Sequence, residues 1–459
     1  MRINNKIAQI QQQGIHRHAK NSQPHQFFNL LTSPELLTTV DDFLPEHRER
    51  FYPPTETLSM FLAQVLNADR SCQQAVNHAV VRRIMEGLSP LSIATGAYCR
   101  ARKRLPLELI KQLVHATGAL IENRVPNEWR WKEKSIYLID GTTMTMPDTQ
   151  DNQARYPQQG GQKAGLGFPI CRLLGVVSLS SGAIIDANVG RFNGKGSDEQ
   201  SLLRGVLDKF VANDLVVGDA FYGSYFLLAS LQHKKVDAIF EQMGARKRVT
   251  DFRTGQRLGT KDHIVDLTKP KTKPDWMTQE SYDLAPAALK LRELKVGGKI
   301  LITTLLSAKE ATRDELKALY KKRWSIEVDF RNLKATMGMD VLSCKTADMV
   351  EKEIWIYFLA YNLIRLLMAQ AALLSNLLPR QISFKHSLQL WLAYHRQNLS
   401  EDAMDSIFVL MGQKKIGNRS GRIEPRAIKR RPKAYPLLMK PRAQAREEVG
   451  KNGHPKKLK

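Results

Sequence analysis

The order of hydrophobic patterns between residues 135 and 242 restricts the fold of this chain more than any other feature. Three segments, "SIYLID", "RLLGVVSLS" and "GAIIDANV", are typical of β-strands, and Ser180 to Gly182 predicts a hairpin between the last two. A predicted helix follows in "SDEQSLLRGVLDKF", opened by a capping box of Ser197 and Gln200. The strand pattern "DLVVGDA", the helix pattern "SYFLLASLQ" and the strand pattern "VDAIFEQ" complete the series.

This order matches a ribonuclease H-like arrangement, an α/β fold whose mixed sheet sets the first and fourth strands side by side and parallel. Asp140 closes the first strand pattern, and Asp219 closes the fourth. Open sheets of this kind bind their ligands at the carboxyl ends of the strands. We therefore expect the two carboxylates to meet at one edge of a catalytic core.

A third acid, Glu327, lies among cations in the segment "YKKRWSIEVDFRNLK". On one continuous α-helix, a single face collects a phenol, three cations and this carboxylate: Tyr320, Arg323, Glu327, Arg331 and Lys334. The adjoining face is apolar and predicts contact with the core through Leu319, Ile326, Phe330, Leu333 and Met337. A solvated helix with i, i+4 ion pairs, each worth a few tenths of a kcal/mol, also explains the charges. The two upstream aspartates favour a catalytic role instead.

Three neighbouring carboxylates repel one another unless a cation neutralises them. Hard divalent ions such as Mg²⁺ or Mn²⁺ prefer oxygen ligands, and Mg²⁺ keeps water positions open for substrate oxygens. Two such ions can activate a water or a 3′-hydroxyl and stabilise the leaving oxygen of a phosphoryl transfer. Asp140, Asp219 and Glu327 are therefore the predicted metal ligands, with Arg323, Arg331 and Lys334 holding the anionic nucleic-acid backbone against the metals.

At these residues the chain resembles bacterial DDE transposases of the insertion-sequence family usually called IS-four. The family's signature of Tyr, two residues, Arg, three residues, Glu, six residues and Lys is met without a gap by Tyr320, Arg323, Glu327 and Lys334. The segment "LIDGTTMTMPDTQDNQARYP" resembles the family's first aspartate block, and "VVGDAFYGSYFLLASL" resembles its second. The likeness extends over most of the chain, from about residue 40 to about residue 440.

The resemblance implies a ribonuclease H-like core interrupted by a β-rich insertion, preceded by a helical region that helps to bind transposon ends. The implied activity is cleavage at both ends of the element and joining of the 3′ ends to target DNA, within a synaptic homodimer on double-stranded DNA. Tyr320, Arg323 and Lys334 would contact end phosphates. Trp276, within the insertion, is the candidate for the aromatic residue on which hairpin-forming members stack a flipped base.

These expectations divide the chain into five parts. Residues 1–130 form a helical DNA-binding region, 131–242 the first part of the core, and 243–306 the insertion. Residues 307–400 carry the catalytic helix and the helices that follow it, and 401–459 form a basic tail, in which Tyr435 is a candidate contact for flanking or target DNA.

The net charge of +25 and the pI of about 9.9 favour a polyanionic partner. Nucleic acid is the first candidate, although charge alone also allows anionic membrane or ribosomal RNA. Four scattered cysteines and an N-terminus without an apolar core predict a reducing compartment and no signal peptide. The resemblance to bacterial transposases implies the cytoplasm, at the nucleoid. The apolar run 354–378 is long enough to span a membrane, but Arg365 favours a buried core helix. No membrane partner is therefore expected.

Other acids have simpler explanations in the sequence. Asp148 and Asp151 suit a turn, and Asp198 and Glu199 suit the first turn of a helix. No HxxxH spacing and no P-loop is present, which argues against zinc and ATP. Two further functions remain open: an inactive or domesticated DNA-binding protein, and a ribonuclease H-like nuclease without strand transfer.

Overall fold

The computed structural model describes residues 52–85, 87–242, 244, 250–395, 402–417 and 440–453. Within these residues, nine strands form one mixed sheet. The strands are β1 (Ile136–Thr145), β2 (Ile170–Ser178), β3 (Ile184–Arg191), β4 (Leu215–Val217), β5 (Asp237–Glu241), β6 (Gln256–Gly259), β7 (Asp262–Thr268), β8 (Ala288–Val296) and β9 (Lys299–Thr303). Their spatial order is β3-β2-β1-β4-β5-β9-β8-β7-β6.

Helices cover both faces of the sheet and build the N-terminal region. In chain order they are α1 (Pro54–Leu66), α2 (Cys72–Met85), α3 (Gly96–Arg104), α4 (Leu107–Asn123), α5 (Gln150–Arg155), α6 (Glu199–Arg204), α7 (Tyr225–His233), α8 (Gln279–Leu284), α9 (Arg313–Lys321), α10 (Ser325–Arg331), α11 (Ala347–Leu374), α12 (Phe384–His395), α13 (Asp402–Gln413) and α14 (Arg442–Asn452). Residues 1–51 of the expected helical region lie outside the described residues, as do 418–439 and 454–459 of the expected tail, including Tyr435.

The first three strands form an antiparallel meander, and β1 also pairs in parallel with β4. Leu138 lies opposite Val217 in that pair, so the predicted pairing of the first and fourth strands is confirmed. The predicted strand ends were wrong. Strand β1 continues past Asp140 to Thr145, because these residues stay paired with β2, and β4 ends at Val217, before Asp219.

Strands β6 to β9 arise from the segment predicted as a β-rich insertion. Strand β9 pairs with β5, with Thr303 opposite Ile239, so these strands extend the sheet that begins with β3. A buried ion pair joins β7 to β8, because Arg292 donates to Asp262 at 2.8 and 2.6 Å. The segment is therefore continuous with the sheet that carries β1 and β4.

The capping of α6 differs from the prediction. Helix α6 begins at Glu199, and the residue before it, Asp198, accepts a hydrogen bond from the backbone N–H of Ser201 at 3.0 Å. Ser197 instead donates its hydroxyl to the carbonyl of Gly194 at 2.7 Å. Serine and aspartate are both favourable N-cap residues, so the sequence alone did not distinguish Ser197 from Asp198. The backbone turn before α6 places Asp198 at the N-cap.

The long helix α11 forms the centre of the larger hydrophobic core. It packs against α1, α4, α12 and α13. In the described part of the chain it is the one helix long and apolar enough to cross a membrane, yet 89% of its most apolar stretch is buried in the protein. The prediction of a buried core helix is confirmed, and Arg365 points into the interior.

Helix α14 returns to the loop between α5 and β2. The backbone N–H of Arg442 donates to the carbonyl of Gly165 at 3.2 Å, and its guanidinium lies 3.8 Å from the centre of the Phe168 ring. The same guanidinium forms an ion pair with Asp148 at 2.9 Å. The described part of the C-terminal region therefore contacts the core.

A buried acid at the start of β4 makes stability depend on pH. Asp214 accepts a hydrogen bond from the backbone N–H of Val211 at 2.8 Å, and burial raises the pKa of its carboxyl from 3.8 to about 6. The folded protein therefore favours the neutral form. The stabilisation is fully present below the unfolded pKa and is lost as the pH rises through about 6.

We expect Asp214→Asn, which stays neutral, to be more stable than the original protein near pH 8 by up to about 3 kcal/mol. The difference should shrink as the pH falls from about 6 to about 4. Urea unfolding followed by circular dichroism measures both values. Asp208→Asn is the matched control, because its side chain is 98% exposed. A pH-independent difference at position 214 would contradict the assignment.

Candidate active site

Asp140 and Asp219 lie on neighbouring segments because β1 pairs with β4. Asp140 accepts a hydrogen bond from the backbone N–H of Gly141 at 2.9 Å. Asp219 precedes a short 3₁₀ turn, Ala220–Tyr222, and accepts from the backbone N–H of Phe221 at 2.8 Å. Burial, together with the nearby charges of Glu199 and Asp219, raises the pKa of the Asp140 carboxyl to about 6 against the opposing effects of Gly141 and Arg323. The site therefore concentrates negative charge.

Glu327 lies on a helix that is less regular than predicted. Helix α9 passes into a 3₁₀ turn, Lys322–Trp324, then into α10, and then into a π turn, Asn332–Thr336. The prediction of one continuous α-helix was wrong. The predicted core face is nevertheless buried throughout: Leu319, Ile326, Phe330, Leu333 and Met337. The changes of helical period are accommodated without turning this face away from the core.

A glycine on β2 allows α10 to approach the sheet beside Asp140. Gly175 is the partner of Asp140 in the β1–β2 ladder. A Cβ atom at this position would lie 2.9 Å from the ring of Phe330, closer than normal van der Waals contact allows. The absence of a side chain at Gly175 therefore brings the helix that carries Glu327 onto the strand that carries Asp140.

One guanidinium lies between the first and third acids. Arg323 Nη1 is 3.8 Å from Asp140 Oδ2, and its Nη2 is 3.3 Å from Glu327 Oε1. The structure thus brings Asp140 and Glu327 to the two terminal nitrogens of one guanidinium, and Asp219 close enough to Asp140 to raise the pKa of its carboxyl. No three His, Cys, Asp or Glu side chains of the described ranges are gathered to hold a metal ion. The donor chemistry nevertheless fits a hard divalent cation, because the acids supply only carboxylate oxygens.

The other predicted site residues differ in exposure. Tyr320 is buried, and burial raises the pKa of its phenol. Lys334, in the π turn, donates to Thr143 O at 2.8 Å and to Thr142 Oγ1 at 3.2 Å, which holds its ammonium on the strand of Asp140. Arg331 is exposed.

Trp276 is 47% exposed. The guanidinium of Arg204 lies over its ring, 3.9 Å from the ring centre, and the ring of Phe226 packs against it at nearly a right angle. Arg204 is the last residue of α6, so the insertion contacts the helix whose first residue is Glu199.

Glu199 is an acid beside Asp140 that the sequence analysis did not include among the candidate site residues. Its Oε2 accepts a hydrogen bond from the Tyr222 hydroxyl at 2.9 Å. A Cβ atom at Gly141 would lie only 2.1 Å from the Glu199 carboxyl carbon. The sequence explained this acid by the helix dipole alone. Gly141 directly after Asp140, and Tyr222 three residues after Asp219, are the signals in the sequence, but only folding brings them together.

A buried charged cluster fastens α10 to the rest of the core. Asp329 is fully buried, and its Oδ1 accepts from Arg365 Nη2 at 2.5 Å and from the Tyr361 hydroxyl at 3.0 Å. Its Oδ2 accepts from Arg380 Nη2 at 2.9 Å, and Arg380 also donates to the carbonyls of Ser178 and Leu179. The helix of Glu327 is therefore tied both to α11 and to the β2–β3 hairpin.

Comparisons with known proteins find one matching family model and two similar transposases. Residues 131–363 match the family model described as transposase DDE domain. The chain is 28% identical over 380 residues to transposase InsG for insertion sequence element IS4 of Escherichia coli strain K12. The aligned residues make up 79% of this chain and 83% of InsG. A solved piggyBac transposase synaptic complex with hairpin DNA covers 86% of this chain and 87% of its own, with 11% identity and a TM-score of 0.42. A TM-score of 0.42 is too low to establish a shared fold.

We expect Asp329→Asn to lower the free energy of unfolding by about 3 kcal/mol, because two arginines lose their counter-charge and Arg365 stays buried. Asp348→Asn is the control. Asp348 also pairs with an arginine, Arg155, but its side chain is 83% exposed, so the loss should stay below about 1 kcal/mol. Guanidinium unfolding compares the two variants, and equal losses would argue against a dominant role for the buried cluster.

Proposed function

Because this chain belongs to the transposase DDE domain family, it is a DNA-cutting and DNA-joining transposase, and we propose that its substrates are the inverted-repeat ends of its own insertion sequence. In the proposed reaction it cleaves these ends and joins the 3′ ends to target DNA. The relative InsG is named for an insertion sequence element, which supports such an element as the source of the ends.

The observation that carries this proposal is that Arg323 joins Asp140 to Glu327, two acids from distant parts of the chain, while Asp219 lies near Asp140. Asp140 belongs to β1, Asp219 follows β4, and Glu327 belongs to α10. Arg323 contacts two of the three carboxylates. A structural role alone does not require three acids at the junction of two strands and a helix, whereas phosphoryl transfer with divalent ions does.

The strand order supports a ribonuclease H-like core. Strands β3-β2-β1-β4-β5 lie in that order, with β1 to β3 antiparallel and β1, β4 and β5 parallel. In this proposal, residues 131–242 and 307–400 form the core, 243–306 form the insertion that extends its sheet, and 1–130 help to bind DNA. The basic tail, 401–459, would contact further DNA.

Asp140, Asp219 and Glu327 would hold two divalent ions, Mg²⁺ or Mn²⁺. Bound ions would activate the attacking water or 3′-hydroxyl and stabilise the leaving oxygen. Cations bound there would replace Arg323 as the charged partner of Asp140 and Glu327. Arg323, released from Asp140 and Glu327, would take a phosphate of the DNA backbone.

Three other residues would complete the DNA contacts. Lys334 is already held on β1 next to the acids, so its ammonium is fixed where a phosphate must approach. Arg331 is exposed on the following turn, and Trp276 offers an aromatic face for a displaced base. Tyr320 would need to become accessible when DNA binds.

The partners follow from the charge and the reaction. Double-stranded DNA suits a chain with a net charge of +25. Two ends must be held together for joining, so we propose a homodimer in the synaptic complex, acting in the bacterial cytoplasm at the nucleoid.

A purified protein, Mg²⁺, a labelled end duplex and a plasmid test the function. Cleavage at the end followed by joining to the plasmid supports transposition by this chain. Binding without cleavage would indicate an inactive DNA-binding descendant. Cleavage without joining would indicate a nuclease.

We expect Asp140→Asn, Asp219→Asn and Glu327→Gln each to reduce end cleavage by at least about 100-fold, because each removes a metal-binding charge. Binding to the end duplex in the absence of metal should remain close to that of the original protein. Asp148→Asn is the matched control, because Asp148 pairs with Arg442 outside the site. Normal cleavage by any of the three variants would remove that residue from the site.

We expect Lys334→Ala to weaken end binding and to reduce the slope of log affinity against log salt by about 1, because one phosphate contact is lost. Lys290→Ala, which removes a half-exposed lysine on β8, should leave that slope unchanged. Fluorescence anisotropy over a salt series measures both. A slope unaffected by Lys334→Ala would show that this lysine serves only contacts within the protein.

A further inference from the structure

Helix α6 and the turn after Asp219 form one local unit. Gln200, the second residue of α6, donates its amide N–H to the carbonyl of Phe221 and accepts from the Ser224 hydroxyl, the latter at 2.8 Å. Asp198 caps the helix through Ser201. The first turn of α6 is therefore fixed against the segment that carries Asp219.

Within this unit, Glu199 extends toward Asp140. Tyr222, whose side chain is fully buried, donates to Glu199 Oε2 and fixes that end of the carboxylate. The opposite side of the carboxyl group occupies the space that a side chain at position 141 would fill. Glu199 thus lies between the residue after Asp140 and the turn after Asp219.

The charge of Glu199 is not balanced within the described ranges by an ion pair with Lys, Arg or His. Its hydrogen-bond partner is a neutral phenol, and the nearest guanidinium of the site, Arg323, contacts Asp140 and Glu327 instead. A half-buried carboxylate beside two others is unfavourable unless a cation offsets it. A purely structural acceptor for Tyr222 would not need to carry a charge.

We propose that Glu199 is a fourth carboxylate of the active site and ligates a divalent ion together with Asp140 and Asp219. This inference rests on the proposed function, because it requires metal at those two aspartates. Tyr222 orients the carboxylate, and Gly141 leaves the space through which it reaches the strand of Asp140. Fixing one oxygen of a metal-binding carboxylate by a hydrogen bond is a common way to orient the other.

The test is the Glu199→Gln variant, which keeps the shape of the side chain and an oxygen for the Tyr222 hydroxyl. Isothermal titration of the full chain with Mn²⁺ gives the metal affinity without any cleavage assay. We expect Glu199→Gln to weaken Mn²⁺ binding by at least about tenfold. The Mn²⁺ concentration for half-maximal end cleavage should rise in parallel, while metal-free end binding stays unchanged. An unchanged Mn²⁺ affinity would overturn the proposal and leave Glu199 as a structural acceptor.

Two further variants separate charge from shape. Gly141→Ala keeps every charge but displaces the Glu199 carboxylate, so it should weaken Mn²⁺ binding in the same direction. Asp198→Asn removes the neighbouring charge and keeps a capping side chain, so Mn²⁺ affinity should be unaffected. An effect of Asp198→Asn as large as that of Glu199→Gln would mean that general charge near α6, and not ligation, governs metal affinity.

Asp140→Asn in the same titration distinguishes failure of this inference from failure of the proposed function. Loss of Mn²⁺ binding in Asp140→Asn with normal binding in Glu199→Gln would reject only the fourth ligand. Normal Mn²⁺ binding and normal cleavage in both variants would reject the metal site itself.

Discussion

The parallel pairing of β1 with β4 is the contact on which the site depends. Leu138 and Val217 lie opposite each other in that pair, so the chain brings Asp140 and Asp219 to neighbouring positions although many residues separate them. The pairing also creates the main energetic difficulty, because it crowds like charges in a half-buried place. Backbone N–H groups of Gly141 and Phe221, together with Arg323, offset part of that repulsion.

The third acid reaches the same place through packing. The missing side chain of Gly175 lets Phe330 approach the sheet, and the buried pairs of Asp329 with Arg365 and Arg380 fix α10 from behind. Arg365 has two consequences. It makes α11 unsuitable for a bilayer, and it supplies the charge that holds the neighbouring helix in the core.

Sequence patterns predicted the helices and strands and singled out the three acids, because hydrophobic periodicity and residue spacing are local properties of the sequence. The strand order and the buried α11 follow from hydrophobic periods, and the sequence places Asp140 with the first strand and Asp219 with the fourth. The extension of β1 to Thr145 could not be predicted, because it depends on pairing with β2. The 3₁₀ and π turns around α10, and the approach of Glu199 to Gly141, are likewise set by contacts between distant segments.

The balance of charge at the site links metal binding to DNA binding. Asp140, Asp219, Glu327 and Glu199 bring four carboxylates, and Arg323 and Lys334 bring two cations, so the site is negative when the acids are ionised. In the proposed function, a phosphate that enters between these carboxylates would be repelled unless divalent cations offset their charge. Bound cations would also replace Arg323 as the partner of Asp140 and Glu327, and its guanidinium would become available for a phosphate. On this proposal, metal and the DNA phosphate would favour each other's binding through this one arginine.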